Sequence, residues 1–217
     1  MSATNGEVRV VRFTPGVDED QLSQLVHCYR VVFGEPPWNE WMTCKTCNQK
    51  WGMGQPYPTI HCGAVVTPFW PEAQVRDDLQ REITSDASAW LALVDGQVVG
   101  FCWGYPISPD RLAEQLSLHT LPDAIKHTFG TVMEVGYQDE IGMMSPFRSQ
   151  GIARRMFLAR NLDFHSRGLP VVVLRTMRTP PTVTYQWYRN RLGYHVIDEY
   201  HNRDDLVILG RLCVDFS

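Results

Sequence analysis

The sequence holds no apolar run long enough to cross a membrane, no excess of basic residues, and no internal repeat or low-complexity segment. A membrane-spanning helix needs about 20 consecutive apolar residues. Lysine and arginine total 20 against 24 aspartate and glutamate residues, which gives a net charge of −4 and no basic field for nucleic acid. We therefore expect neither a membrane nor a nucleic acid as a partner.

The first residues, 1–7, lack the charged head and apolar stretch of a secretory signal peptide. We therefore expect a cytoplasmic, reducing location, where cysteines persist as thiols or metal ligands rather than as disulfides. We interpret the six cysteines in that way. The 217 residues, 44% of them hydrophobic, suit one domain spanning 1–217 with a sizeable core.

Hydrophobic periodicity and turn residues predict alternating strands and helices along most of the chain. The predicted strands are 8–13, 90–94, 98–105, 137–144, 169–174, 194–197 and 205–214. The predicted helices are 19–33, one opening at Pro71, 109–127, 152–165 and 182–192. Residues 34–70 show little periodicity and hold three cysteines, so we interpret them as a functional or metal-clamped insertion.

The segment Arg148-Ser149-Gln150-Gly151-Ile152-Ala153 lies between an apolar run, 141–144, and the helix 152–165. A glycine-centred turn that leads into a helix gathers free backbone N–H groups and the positive end of the helix dipole at one point. Such a point favours an anion, with a diphosphate as its natural ligand, and Arg148 adds further donors. The alternative is an ordinary strand-to-helix turn that contains a glycine for steric reasons.

Two motifs in this order resemble those of the Gcn5-related N-acetyltransferase (GNAT) superfamily. Arg148-x-x-Gly151-x-Ala153 is similar to the family's pyrophosphate loop. The run Tyr188-Arg189-Asn190-Arg191-Leu192-Gly193-Tyr194 is similar to the family's Tyr-x-x-x-Leu-Gly-Phe/Tyr segment. The resemblance covers about 89–214, with a weaker extension over the first strand and helix.

The resemblance implies an α/β (α+β) fold. Its centre is a mixed, mostly antiparallel sheet, flanked by helices, with a parallel β4-β5 pair splayed around acetyl-CoA. In this sequence the fourth and fifth strands of that fold correspond to 137–144 and 169–174, and the helical stretch 109–127 is an insertion before the fourth strand. The implied enzyme transfers an acetyl group from acetyl-CoA, its cosubstrate, to a primary amine by direct attack.

The resemblance also assigns coenzyme-binding residues. The loop residues Arg148, Ser149, Gln150, Gly151, Ile152 and Ala153 surround the diphosphate. The backbone of Met143 and Met144 faces the pantetheine arm, although both side chains also suit a core-filling role. Gly142 permits a bulge and close approach of a ligand.

The reaction needs a base, because an alkyl amine with a pKa of about 10.4 is mostly protonated at neutral pH. Glu140 lies on the fourth strand, where family members often keep a catalytic carboxylate, and Asp139 and Glu134 are the alternatives. Alternation places Asp139 and Glu140 on opposite faces of a regular strand. Tyr188 matches the family's tyrosine that donates to the thioester sulfur, with Tyr185 as the alternative and a core-packing role also open.

Cys44-x2-Cys47, followed fourteen residues later by Cys62 with His61 beside it, is an incomplete zinc pattern. His61 is the nearest fourth ligand, and His27 or Cys28 are alternatives because adjacent residues rarely both ligate without strain. The other interpretation is free or redox-paired thiols. Residues 34–41 are aromatic and acidic, which suits either a cationic amine or packing of the insertion.

Three functions remain open at this point. The first is an N-acetyltransferase that acts on a small-molecule or peptide amine, as a monomer or homodimer. The second is a non-catalytic acyl-CoA-binding sensor of the same fold. The third is an interaction protein that binds a macromolecule through its zinc knuckle.

Overall fold

A computed structural model describes residues 6–16, 18–180, 182–201, 203 and 205–213. The α-helices are α1 Glu19–Gly34, α2 Glu72–Glu82, α3 Pro109–Leu116, α4 Leu121–Phe129, α5 Ile152–Ser166 and α6 Val183–Arg191. The strands are β1 Val8–Arg12, β2 Met42–Thr43, β3 Lys50–Trp51, β4 Ile60–His61, β5 Ala64–Val65, β6 Thr67–Pro68, β7 Trp90–Val94, β8 Gln97–Ile107, β9 Val135–Met143, β10 Val171–Met177, β11 His195–Glu199 and β12 Leu206–Leu212.

Seven strands form one sheet in the order β1-β7-β8-β9-β10-β12-β11. The pairs β1/β7, β7/β8, β10/β12 and β11/β12 are antiparallel, whereas β9 and β10 are parallel. A large, mostly antiparallel mixed sheet with helices is the predicted fold class, which is confirmed at this level. The parallel register joins Gly136 to Val172 and Tyr137 to Val173.

The parallel pair was expected to be β4 and β5, but in chain order those labels belong to other strands. In chain order, β4 and β5 are short strands that pair antiparallel through Ile60 with Val65 and His61 with Ala64. The parallel pair is β9 with β10 because the cysteine-rich segment adds five two-residue strands, β2 to β6, ahead of the second strand of the main sheet. These five strands form a three-stranded sheet, β3-β2-β6, and the ribbon β4-β5.

The chain divides into two compact units. The first comprises 1–85, 89–102 and 141–157, and the second comprises 86–88, 103–140 and 158–217. The domain expectation of 1–217 stays a prediction. In the first unit, Asp18 caps α1 by accepting a hydrogen bond from the backbone N–H of Gln21 at 2.9 Å, and α1 packs against α2.

In the second unit, the predicted helical stretch 109–127 is confirmed as helical, although it is not one continuous helix. It is two helices, α3 and α4, because Ser117 ends α3 in the left-handed conformation (φ 53°) and Pro122 stands in the first turn of α4. Both helices pack on the strands through one core cluster. Its members include Leu112, Leu116, Leu121, Ile125, Tyr137 and Val173.

The Phe164 ring of α5 packs where Gly136 has no side chain, since a Cβ there would lie 2.6 Å from the ring. The last strand ends at Leu212, and Val214 of the predicted strand lies outside the described residues. In the described part of the chain, no helix combines the length and apolar character needed to cross a membrane.

Candidate functional site

The turn before α5 has the backbone conformation of an anion site. Ser149 and Gly151 both have positive φ angles, 63° and 77°, and α5 begins at Ile152. When left-handed residues alternate with other residues ahead of a helix, successive N–H groups point towards one place. The helix dipole is also positive there. A Cβ at Gly151 would meet no atom within 4 Å, so the glycine is required by the backbone conformation rather than by crowding.

The Arg148 side chain is partly exposed, but its guanidinium donates hydrogen bonds to two protein groups. Its Nε donates to the Met143 carbonyl at 2.8 Å, and its Nη2 donates to the Glu35 carboxylate at 2.9 Å. Ser145 donates to the same carboxylate from its backbone N–H at 3.2 Å and from its Oγ at 2.7 Å. Glu35 was not singled out from the sequence, and its one signal was its place just after the first predicted helix.

Met143 and Met144 already have protein partners. The Met143 side chain is 7% exposed within a core cluster that contains Cys102 and Met156. The Met144 N–H donates to the Val99 carbonyl at 3.0 Å, and its carbonyl accepts from Phe147 at 3.0 Å. Gly142 faces the Phe101 ring so closely that a Cβ would clash with it.

Tyr188 lies in the protein interior, with 1% of its surface exposed. Its phenol oxygen accepts a hydrogen bond from Arg160 Nη2 at 3.0 Å, and its ring packs edge-on against Tyr194 at 4.8 Å. Arg160 is fully buried, and its Nη1 donates to the carbonyls of Trp103 at 2.8 Å and Glu140 at 2.9 Å. Tyr185 is half-buried and bonds to the helix cap Thr182 through its N–H at 3.0 Å.

Arg160 was not identified from the sequence. The signal was a cationic residue on the core-facing side of α5, among Met156, Phe157 and Phe164, which are all fully buried. A buried arginine is rare unless it has partners. One guanidinium therefore joins β8, β9 and α6 through the carbonyls and the phenol described above.

The carboxylates on β9 differ in their surroundings. Gln138 bonds to Asn161 at 3.0 Å and accepts from the Tyr194 hydroxyl at 3.1 Å, whereas Tyr137 packs against Tyr105 at 5.7 Å. Alternation along the strand places Glu140 on the Gln138 face and Asp139 on the Tyr137 face. Burial raises the pKa of Asp139, although Arg175 and a hydrogen bond from Trp103 oppose the shift. Glu134 is exposed.

The sulfur atoms of Cys44, Cys47 and Cys62 and a ring nitrogen of His61 all lie within 4.8 Å of one another. His61 Nδ1 is 3.5 Å from Cys47 Sγ and 3.3 Å from Cys62 Sγ. A tetrahedral zinc ion, with Zn–S of about 2.3 Å and Zn–N of about 2.0 Å, separates such atoms by about 3.6 Å. The two His61 distances match this separation, and the four predicted ligands lie close enough together to hold a metal ion.

The adjacent residues His61 and Cys62 reach the same point because Cys62 has a left-handed backbone, φ 53°. The pKa of Cys44 is lowered to about 6, mainly by a hydrogen bond with His61, and the pKa of Cys62 is raised by its neighbouring cysteines. The alternative ligands are not in this cluster. His27 is exposed, and Cys28 is buried, where desolvation and Glu35 raise the pKa of its thiol.

Side chains of the aromatic and acidic segment 34–41 contact residues elsewhere in the first compact unit. Glu40 accepts from Trp70 Nε1 at 3.0 Å and pairs with Lys50 at 2.8 Å. The Arg30 guanidinium lies 5.3 Å from the Trp41 ring centre. Trp38 is 41% exposed. These contacts favour the packing interpretation for Glu35, Glu40 and Trp41.

No protein-family model matches the sequence, and no curated protein matches it. Solved structures do match. PaiA N-acetyltransferase from Thermoplasma acidophilum, in complex with coenzyme A, has a TM-score of 0.58 at 12% identity, over 95% of this chain and 99% of that one.

Drosophila melanogaster polyamine N-acetyltransferase, which forms N-acetylagmatine, has a TM-score of 0.59 at 15% identity, over 95% of this chain and 100% of that one. Aminoglycoside 6'-acetyltransferase type Ii has a TM-score of 0.55 at 11% identity, over 95% and 97%. The resemblance that the two motifs indicate is thus matched in three dimensions, and the chain has the fold of the GNAT N-acetyltransferases.

Proposed function

We propose that this protein is an acetyl-CoA-dependent N-acetyltransferase that acetylates a primary amine by direct attack. The observation that carries the proposal is the left-handed turn at Ser149 and Gly151, which opens α5 within a GNAT fold. A diphosphate bound there accepts hydrogen bonds from the N–H groups of residues 149–153. Arg148 contributes mainly by holding the loop, since its guanidinium binds Met143 and Glu35.

The parallel pair supports a slot for the pantetheine arm. The registered residues lie near the start of each strand, at Gly136 with Val172 and Tyr137 with Val173, while β9 continues to Met143 and β10 to Met177. We propose that the strands splay beyond this register around acetyl-CoA. The backbone of Met143 and Met144 then faces the arm, as in the resemblance.

Tyr188 and Glu140 carry the chemistry in this proposal. The amine nitrogen attacks the thioester carbonyl, the C–S bond breaks, and the amine loses a proton to Glu140, directly or through water. The departing sulfur takes a proton from the Tyr188 hydroxyl, so the products are the amide and the coenzyme thiol. A phenol oxygen that accepts from Arg160 can still donate its own proton to a second partner, so the Arg160 bond is compatible with this role.

The second candidate is an acyl-CoA-binding module without transfer activity. The burial of Tyr188, 1% exposed, is the observation that favours it, because a phenol that cannot reach the sulfur cannot protonate it.

Neighbours of the same fold act on polyamines and aminoglycosides. We therefore propose a small-molecule or peptide amine as the acceptor of the first function.

Acetyl-CoA binding and thiol release test both candidates. Calorimetry with acetyl-CoA measures binding, and thiol release is followed over a panel of polyamines, aminoglycosides, amino acids and peptides. The enzyme proposal requires amine-dependent thiol release that Glu140→Gln reduces at least tenfold. Tight binding without release on any amine supports the acyl-CoA-binding module, and absence of binding rejects both.

We also propose that Cys44, Cys47, His61 and Cys62 hold one structural Zn²⁺. Four protein ligands leave no open position on the ion, so its role is to hold the insertion together rather than to activate a substrate. The two-residue strands around the cluster support this role, because such short strands bury little apolar surface of their own.

A further inference from the structure

We infer that the metal centre positions the coenzyme loop by way of Glu35, so that metal binding and coenzyme binding strengthen each other. This inference rests on the proposed binding of acetyl-CoA at residues 148–153. Every contact on which it depends lies in the first compact unit. Two sets of contacts carry it. The first joins the end of α1 to the cysteine hairpin, which consists of β2, β3 and the turn 44–49 between them. The second joins Glu35, at the end of α1, to Ser145 and Arg148.

The cysteine hairpin is fastened to the last turn of α1. Strands β2 and β3 flank the knuckle and pair through Met42 with Trp51 and Thr43 with Lys50. Met53, two residues after β3, donates its N–H to the Gly34 carbonyl at 2.7 Å. Glu40, two residues before β2, donates its N–H to the Phe33 carbonyl at 2.8 Å.

Trp41, which directly precedes β2, also packs closely against Gly34. A Cβ at Gly34 would lie 2.9 Å from the Trp41 ring, so the ring rests directly on the α1 backbone. The last carbonyls of a helix have no intrahelical partner. Residues flanking the hairpin satisfy those of Phe33 and Gly34, which immediately precede Glu35, so the hairpin contributes to fixing Glu35 together with α1, whose Val31 carbonyl accepts from the Glu35 N–H at 3.0 Å.

A bound metal is what makes this hairpin rigid. Cys44 and Cys47 lie in the turn between β2 and β3, whereas His61 and Cys62 lie in the separate ribbon β4-β5. Each of these strands has two residues, too few for a stable ladder of their own. Zn²⁺ bound by all four side chains joins the hairpin to the ribbon, and its binding energy becomes folding energy of the segment.

Glu35 then transmits the position of α1 to the loop. Its carboxylate accepts three hydrogen bonds, two from Ser145 and one from Arg148, whose Nε in turn holds the Met143 carbonyl at the end of β9. The Glu35 side chain is 18% exposed and that of Arg148 is 40% exposed. This partial burial reduces solvent screening of the pair.

The order of the loop gives the effect its sign. With the hairpin in place, Glu35 fixes Ser145 and Arg148, and Arg148 fixes the Met143 carbonyl, so the loop is held in one conformation before the ligand binds. When the hairpin loosens, these hydrogen bonds are lost, and ligand binding must then order the loop at a cost in free energy. Metal-free protein should therefore bind acetyl-CoA more weakly, although residues 148–153 are unchanged.

Calorimetry on the full chain measures acetyl-CoA affinity with zinc bound and after removal of the metal by a chelator. We expect the metal-free Kd to be higher by a factor of at least about five, within the usual range for coupled sites. Coupling is reciprocal, so saturating acetyl-CoA should tighten zinc binding, measured by chelator competition, by the same factor.

The Glu35→Gln variant tests whether the coupling between metal binding and coenzyme binding runs through Glu35. Its absolute affinity can change in either direction, so the measurement is the ratio of the metal-free to the metal-bound Kd. We expect that ratio to fall to about one, whereas the exposed control Glu114→Gln keeps the wild-type ratio.

Each outcome has one meaning. If zinc-loaded wild type does not bind acetyl-CoA, the proposed function is wrong. If wild type binds equally well with and without metal, or retains no zinc, the coupling is wrong and the proposed function stands. If Glu35→Gln keeps the wild-type ratio, as it would if metal removal merely unfolded the chain, the route through Glu35 is overturned.

Discussion

The guanidinium of Arg160 donates to the phenol oxygen of Tyr188 at 3.0 Å, and both side chains are buried. The other terminal nitrogen of Arg160 binds the carbonyls of Trp103 and Glu140, which belong to neighbouring strands. The tyrosine proposed to protonate the leaving sulfur is thus held by the same residue that secures the strand bearing the proposed base. This relationship leads to the first two predictions.

Replacing Arg160 with methionine should strongly destabilise the protein. Arg160→Met removes three hydrogen bonds donated by a buried cation, and hydrogen bonds to charged groups contribute about 1.5–3 kcal/mol each. We expect the free energy of unfolding, measured by urea denaturation, to fall by about 3 kcal/mol or more. The exposed Arg155 of the same helix is the control, and Arg155→Met should change it by less than about 0.5 kcal/mol.

Removing the Tyr188 hydroxyl should reduce turnover without weakening coenzyme binding. Tyr188→Phe keeps the ring contact with Tyr194 and removes the hydroxyl, which is the proposed proton donor and also the acceptor of the Arg160 hydrogen bond. We expect kcat to fall about 100-fold or more, the usual size of a general-acid contribution, with the acetyl-CoA Kd within about twofold of wild type. Tyr185→Phe should retain wild-type kcat. Equal losses in the two variants would argue against the assignment of Tyr188.

A negative charge at position 151 should weaken coenzyme binding, and a glycine beyond the other end of α5 supplies a matched control. Gly151 and Gly168 have φ angles of 77° and 75°, and a Cβ at either would meet no atom within 4 Å. Both glycine-to-aspartate changes should cost about 1–2 kcal/mol of stability, because both force a left-handed conformation.

Only Gly151→Asp should also repel the diphosphate. Calorimetry should show acetyl-CoA binding weakened more than about 30-fold in Gly151→Asp, equal to about 2 kcal/mol, and unchanged in Gly168→Asp. Wild-type affinity in Gly151→Asp would reject the loop as the diphosphate site.

The half-buried carboxyl of Asp139 predicts that the free energy of unfolding depends on pH. Burial raises its pKa in the folded protein, so the folded chain holds this proton to higher pH than the unfolded chain does. Stability is therefore lost as pH rises from the unfolded value of about 4 through the raised folded value.

Asp139→Asn removes that loss. We expect the variant to unfold at a higher temperature than wild type at pH 7, with the difference shrinking as the pH approaches about 4. Asp86→Asn, at an exposed position, should show no such trend. A difference for Asp139→Asn that grows on acidification would contradict the prediction.

The purified protein should contain about one zinc ion per chain, matching a four-ligand structural site. Elemental analysis should find the metal largely lost in Cys47→Ser, and this variant should melt at a lower temperature. Cys213→Ser, which alters a buried cysteine outside the cluster, should keep its zinc. Zinc retained by Cys47→Ser would exclude Cys47 as a ligand.

Much of the fold and part of the site followed from local patterns. The strands that became β7 to β10, the turn at Gly151 and the four members of the cysteine cluster were predicted because alternation, glycine punctuation and ligand spacing are encoded over a few residues. The division of 109–127 into α3 and α4 was missed, since the sequence did not show that Ser117 adopts a left-handed conformation.

The sequence by itself determined which residues open α5, which cysteines and histidines are candidate ligands, and which known fold the chain resembles. Only the tertiary structure decided that Glu35 holds Arg148, 113 residues away, and that Arg160 holds Tyr188, 28 residues away. Such pairs depend on how helices pack against strands, and no local period of the sequence encodes the distance between two side chains brought together by that packing.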